Sequence, residues 1–315
     1  MTPSANHAGS VAQRIVPNIW CNGNAEEVGN FYTGVFENAS AEIEARYPET
    51  GLLDFQEPLA GQPLTIALTI SGYRFTLVNA GDEFAPNAAL SFMINFDPLL
   101  FDGDEDLARA SLRRLWQGLA DGGSVLMPLG EYPFSALYGW VEDRHGVHWQ
   151  LILTDPAGDP RPFILPVLLF GGPVQNHAGE AVGHYLDVFA DLPGGAEIGM
   201  YALYPEQHGP AEPGAVQFSD FCLGDQWFVA MDSAAAQDTT FSPGVSLEVQ
   251  CDDQAQIDRV WDALSAVPEA EQCGWLTDRF GVSWQVVPAN MAELMEWPGA
   301  FERMLSMKKL IIADF

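Results

Sequence analysis

The sequence predicts an α+β protein of two tandem domains, each built from two βαβββ units. Three observations predict it. A signature at the end of the first half, YGWVEDRHGVHWQ (138–150), returns at the end of the second as CGWLTDRFGVSWQ (273–285). Other segments recur between the halves in the same order. Within each half, stretches with the three- and four-residue spacing of helices alternate with stretches of period-two strands.

The elements follow in chain order. An opening strand, IVPNIWCN, leads into NAEEVGNFYTGVF (24–36), where Val28, Phe31, Tyr32, Val35 and Phe36 share one helix face. HAGEAVGHYLDVF (177–189) repeats this helix with Val182, Tyr185, Val188 and Phe189. LTISGYRFTLVNAG (68–81) and FCLGDQWFVAMDS (221–233) read as hairpins turning at SG and GD. LSFMINFD (90–97) and VSLEVQCD (245–252) are strands, each followed by a helix containing LRRLW (112–116) or IDRVW (257–261). Each half ends on the signature hairpin. In the predicted division, 1–13 is a disordered tail, 14–154 the first domain and 155–162 a linker of clustered breakers; 163–288 is the second domain and 289–315 a helical tail.

Composition narrows the function. Forty-three acidic residues against thirteen basic ones give a net charge of −30, a surface that repels phosphate backbones and anionic lipid. Neither nucleic acid nor membrane is an expected partner. Lys308 and Lys309 are the only lysines, which excludes a lysine Schiff base or a P-loop lysine in either domain. The four cysteines form no CxxC or Cys/His pattern, arguing against a disulfide framework or structural zinc. No apolar leader and no long apolar run occurs, so the expected location is the cytoplasm. No Gly-rich strand-to-helix loop, GxSxG elbow or HExxH motif is present.

The opening segment IVPNIWCNGNAEEVGNFYTGVF together with the GWxxDRxGVxWQ ending resembles the PhnB-like branch of the vicinal oxygen chelate superfamily, whose members often carry the label demethylubiquinone methyltransferase-like. The similarity spans about 14–153 and 164–288. It implies tandem vicinal oxygen chelate domains whose paired units form an open, cup-shaped sheet around a small-molecule cavity. In metal-using relatives, two histidines and a glutamate meet inside the cup, from first and last strands, and hold a divalent ion.

Here the pattern departs. Four residues after the hairpin glycine, where a relative places an acidic ligand, stand Gln150 and Gln285. Both are amides, weak as ligands and no general base. The first opening strand offers Asn18, with Trp20 on the same face; the second, ILPVLLF (164–170), offers nothing polar. The middle strands offer Ser91, Met93 and Asn95, or Ser246, Glu248 and Gln250. His148 alternates with Gln150 toward the pocket, and its plain alternative is a partly exposed residue at the start of a strand. Glu248 is a candidate base or lone ligand, but alternation with Val245, Leu247 and Val249 favours an outward, solvated side chain. Asp143 and Asp278 are expected to accept turn amides, and the signature tryptophans to fill the core.

The predicted pocket residues are therefore Asn18, Trp20, Met93, His148, Gln150, Glu248 and Gln285. The expected function is binding of an apolar or aromatic small molecule, with no catalytic metal and no other cofactor. The alternative is a divalent-metal-dependent lyase or dioxygenase of the same superfamily, using His148, Gln150 and a further carboxylate. The second half is the more passive candidate. An intrachain pseudo-dimer or a homodimer is expected, and exchange of strands between the halves is left open.

Overall fold

The computed structural model describes residues 13–315. The expected disorder over 1–13 lies outside these residues, apart from Gln13, whose side chain bonds the backbone N–H and C=O of Arg74, each at 2.8 Å.

Four units follow one another. The first is β1 (Ile15–Asn22), α1 (Ala25–Val35), β2 (Ala39–Arg46), β3 (Pro63–Ile70) and β4 (Tyr73–Ala80). The second is β5 (Leu90–Phe96), α2 (Glu105–Ala120), β6 (Ser124–Tyr132), β7 (Ser135–Glu142) and β8 (His148–Leu153). The third repeats the first as β9 (Ile164–Phe170), α3 (Ala178–Val188), β10 (Ala196–Leu203), β11 (Val216–Leu223) and β12 (Gln226–Asp232). The fourth is β13 (Val245–Cys251), α4 (Gln254–Leu264), β14 (Trp275–Thr277) and β15 (Ser283–Pro288), one strand shorter than the second.

The repeat is physical as well as sequential. At the SG turn, Ser71 and Gly72 both take positive φ, the conformation a two-residue hairpin turn demands. The strands after the hairpins end on side chains that accept from the first N–H of the first and third helices: Asn79 from Ala25 at 3.2 Å, Asp232 from Ala178 at 3.1 Å. Their other atoms answer a change elsewhere in the repeat. Asp232 accepts from the N–H of Val216, whereas Pro63 has no N–H and Asn79 donates to its carbonyl instead.

The units combine across the halves. A seven-stranded sheet runs β14-β15-β13-β1-β4-β3-β2, joining the first unit to the fourth. An eight-stranded sheet runs β10-β11-β12-β9-β5-β8-β7-β6, joining the second to the third. The seams are antiparallel, β1 with β13 and β5 with β9. One face of each sheet buries into a common core with the helices, where Phe75 of one sheet meets Phe92 and Trp149 of the other. Half-core, half-free sheets follow from the alternation: Ile15, Ile19 and Cys21 point inward from β1, while Asn18 and Trp20 point to the opposite face.

The C-terminal segment folds as two short helices, α5 (Met291–Met295) and α6 (Ala300–Ser306), less helix than the sequence predicts. It builds a small core of Leu294, Ala300, Leu310 and Phe315 on Val287 of β15. It also takes the place of the missing strand. The carbonyls of Met307 and Lys308 accept from the N–H groups of Cys273 and Gly274, whereas the equivalent Tyr138 pairs with Gly130 of β6. Farther along, Phe301 meets Tyr47 beyond β2, ring centroids 6.5 Å apart, and Gln272 bonds the carbonyl of Leu305. The segment thus straps the two edges of the seven-stranded sheet together.

Candidate functional site

The cup faces of the two sheets differ in chemistry. In the seven-stranded sheet, Asn18 of β1 stands between Thr76 of β4 and Ser246 of β13. Glu248 follows on β13, paired with Gln285 of β15. The Glu248 carboxylate accepts from Asn18 Nδ2 at 3.3 Å and from Gln250 Nε2 at 2.9 Å. Burial pushes this carboxyl above its ordinary range, against the pull of those two hydrogen bonds. Asn18 is 1% exposed, and its Oδ1 has no partner. Trp20 is half-buried, its indole N–H donating to Gly81 O at 2.8 Å, and it stands edge-to-face with Trp275 at 6.1 Å.

The eight-stranded sheet fills the same positions with hydrocarbon. Met93, Leu165, Val167 and Val229 form an apolar cluster, flanked by Phe218, Trp227 and Met231. Gln150 is committed on both ends, donating to Ser91 at 3.0 Å and accepting from Tyr138 at 2.7 Å. His148 faces this cup at 7% exposure beside Trp140, ring centroids 6.3 Å apart, and burial pushes its imidazole down to about 4. It is neutral at physiological pH.

Two further features are structural. Asp143 accepts from Tyr32, Trp149 and the backbone of His145 and Val147; Asp278 repeats this with Tyr185, Trp284, Phe280 and Val282. Each carboxylate locks a hairpin to a helix and has no lone pair facing a cup. A cleft of about 100 Å³ at the end of β1, lined by Trp20, Phe84 and His145 among others, is smaller than an ordinary ligand pocket.

The profile of the family described as 3-demethylubiquinone-9 3-methyltransferase matches residues 13–152 and again 162–287. The chain belongs to this family. It is a tandem PhnB-like protein. A PhnB protein from Bacillus cereus, itself titled a putative 3-demethylubiquinone-9 3-methyltransferase, is 30% identical; the match covers 45% of this chain and 100% of that one, with a TM-score of 0.37. Glyoxalase I from Zea mays shares the fold at 12% identity, covering 90% of this chain and 93% of that chain, with a TM-score of 0.52. No match was found among curated proteins.

The PhnB-like signature thus distributes its predicted pocket residues over two sites. Asn18, Trp20, Glu248 and Gln285 share one cup; Met93, His148 and Gln150 share the other. Glu248 does point away from the core, and it is half-buried there rather than fully solvated. His148 is buried rather than partly exposed. Of the signature tryptophans, Trp149 and Trp284 fill the core, whereas Trp140 and Trp275 are half-buried on cup faces. His145 of the first signature hairpin is half-buried, edge-on to Phe31. Sequence reasoning passed over Tyr138 and Thr76; their pairing with Ile152 and Asn18 becomes visible only once strand register is known.

Neither donor set fits a divalent ion. The polar cup offers one carboxylate among amides and hydroxyls; the other offers the His148 imidazole and the Gln150 amide, whose oxygen and nitrogen are already held by Tyr138 and Ser91. Among the described residues no group of three His, Cys, Asp or Glu side chains converges.

Proposed function

We propose that this PhnB-like chain binds a small aromatic or apolar molecule in the cup of its seven-stranded sheet, without a catalytic metal. The observation that carries the reading is the contrast between the cups. One sets a partnerless buried acceptor, Asn18 Oδ1, beside the Glu248 carboxylate and a half-buried tryptophan pair; the other has partnerless nitrogens at His148 and Trp140 but no carboxylate at the matching position, where its own Met93, Leu165, Val167 and Val229 fill the floor. An unmet polar group in an enclosed site is costly unless something occupies it. Aromatic side chains at the wall suit a flat ligand, and a few polar groups at the floor orient it.

The methyl transfer named in the family description has no support in this topology. A methyl-donor nucleotide is ordinarily held at a Gly-rich turn of a doubly wound parallel sheet, whereas both sheets here are mixed and seamed by antiparallel pairs. No helix among the described residues is long and apolar enough to cross a membrane.

Calorimetric titration with a panel of flat aromatics tests the reading on wild type, Trp20→Ala and a Val167→Ala control in the other cup. Binding weakened by Trp20→Ala and unchanged by Val167→Ala is expected. The reverse pattern would move the site to the other cup. Metal analysis tests the metal-free part: a stoichiometric divalent ion retained after dialysis would overturn it.

A further inference from the structure

The polar cup leaves acceptors without partners. Asn18 gives its nitrogen to Glu248 and is left with a buried, partnerless oxygen. Gln285 gives its nitrogen to Ser246 at 3.0 Å, which leaves its carbonyl oxygen as an acceptor next to Glu248. Each oxygen of Glu248 accepts one amide hydrogen and has lone-pair capacity to spare. No cationic side chain within ion-pair distance answers this carboxylate among the described residues. The guanidinium facing it from β4, Arg74, is held by Glu44 of β2 at 2.7 Å.

Unpartnered acceptors around an uncompensated carboxylate select a ligand that brings donors and positive charge. Resting on the assignment of this cup as the ligand site, we propose that it recognises a primary ammonium group carried on an aromatic body. The ammonium sits among Glu248, Asn18 Oδ1 and the Gln285 carbonyl, and the ring lies against Trp20 and Trp275. An ammonium has three N–H donors and no acceptor, so it meets three oxygens without leaving a lone pair buried. Its charge answers the one uncompensated carboxylate of the floor, and the neighbouring indoles add attraction for a cation. A carboxylate or phosphate ligand would meet the Glu248 carboxylate with no cation to offset the repulsion. The surplus of acidic residues in the chain steers cations inward and anions away.

Tryptamine and its neutral counterpart tryptophol, in which a hydroxyl replaces the ammonium, separate this inference from the reading beneath it. Both are titrated into the full-length protein at about 0.15 M salt, where long-range attraction is screened beyond roughly 8 Å. Wild type is expected to prefer tryptamine by about tenfold or more, the usual margin for a hydrogen-bonded charge. Glu248→Gln is expected to abolish that preference while still binding tryptophol, and Trp20→Ala to weaken both ligands. Equal affinities in wild type, or a preference that survives Glu248→Gln, would overturn the ammonium inference. In that case loss of both ligands in Trp20→Ala would leave the cup assignment standing. Saturable binding of neither ligand, or binding indifferent to both substitutions, would overturn the cup assignment and the inference together.

Discussion

Asn18 and Glu248 lie 230 residues apart in the chain and side by side in the fold, Asn18 Nδ2 donating to Glu248 Oε2 at 3.3 Å across the seam of β1 and β13. Neither half of the repeat owns this site. Asn18 comes from the first unit and Glu248 from the last, so the question of which half is passive gives way to which sheet is occupied. The duplication let the two sheets diverge: the position of Glu248 on β13 is that of Met93 on β5, and the difference decides which cup is polar.

The half-buried Glu248 carboxylate leaves a mark on stability. Glu248 has its folded pKa raised above the ordinary 4.5, because burial disfavours the charged form. The folded state therefore holds the proton more tightly than the unfolded chain. The contribution is fully present below about 4.5 and is lost as pH rises through the folded value. Glu248→Gln, neutral at every pH, is expected to melt higher than wild type at neutral pH, with the gap closing as acid is added. Thermal melts across that range check it; a variant less stable than wild type at neutral pH contradicts it.

The other cup predicts the opposite response. Met93 packs against Leu165, Val167 and Val229, all nearly without exposure. Met93→Glu puts a carboxyl among these methyls with no donor in place. The expected loss is about 3 kcal/mol or more, read from denaturant midpoints at unchanged slope.

The aspartate locks are structural in this account. Asp278 accepts four hydrogen bonds, two from backbone and one each from Tyr185 and Trp284. In Asp278→Asn one oxygen becomes an NH₂ that faces donors. We expect a loss of about 3 kcal/mol, measured by chemical denaturation, with ligand affinity unchanged under conditions where the protein stays folded.

The strap is held by a small core of its own. Leu310 is fully buried, and Gly274, with φ of +86°, gives it room: an added Cβ there would approach the Leu310 side chain at 3.2 Å. Leu310→Ala is expected to cost about 2–5 kcal/mol of local stability. Hydrogen exchange should then rise over 289–315 and at Cys273 and Gly274, while the helices of the main core keep their protection.

Much of this was legible in the sequence. Spacing from Gly146 and Gly281 places Gln150 and Gln285 on the last strands, and the structure gives each the same partner, Ser91 or Ser246 of the repeat. Alternation assigns Asn18, Trp20 and Glu248 to the face opposite the core. It cannot say how deeply that face is covered, and Glu248 is half-buried there. Nor does alternation choose among partners: β13 carries the same inward hydrocarbon row for β1 as for β9, so pairing across halves and within them look alike. The strap was hidden for a related reason, since replacing a lost strand leaves a backbone relationship and no residue pattern.

Fluorine NMR of protein carrying fluorotryptophan reads both cups at once and shows which one takes the ligand. Trp20 and Trp275 report on the polar cup, Trp140 and Trp227 on the filled one, with Trp149 and Trp284 as buried references. On titration with tryptophol, the resonances of Trp20 and Trp275 are predicted to shift saturably while those of Trp140 and Trp227 stay fixed. Saturable shifts at Trp140 and Trp227 with Trp20 and Trp275 unmoved would contradict the account.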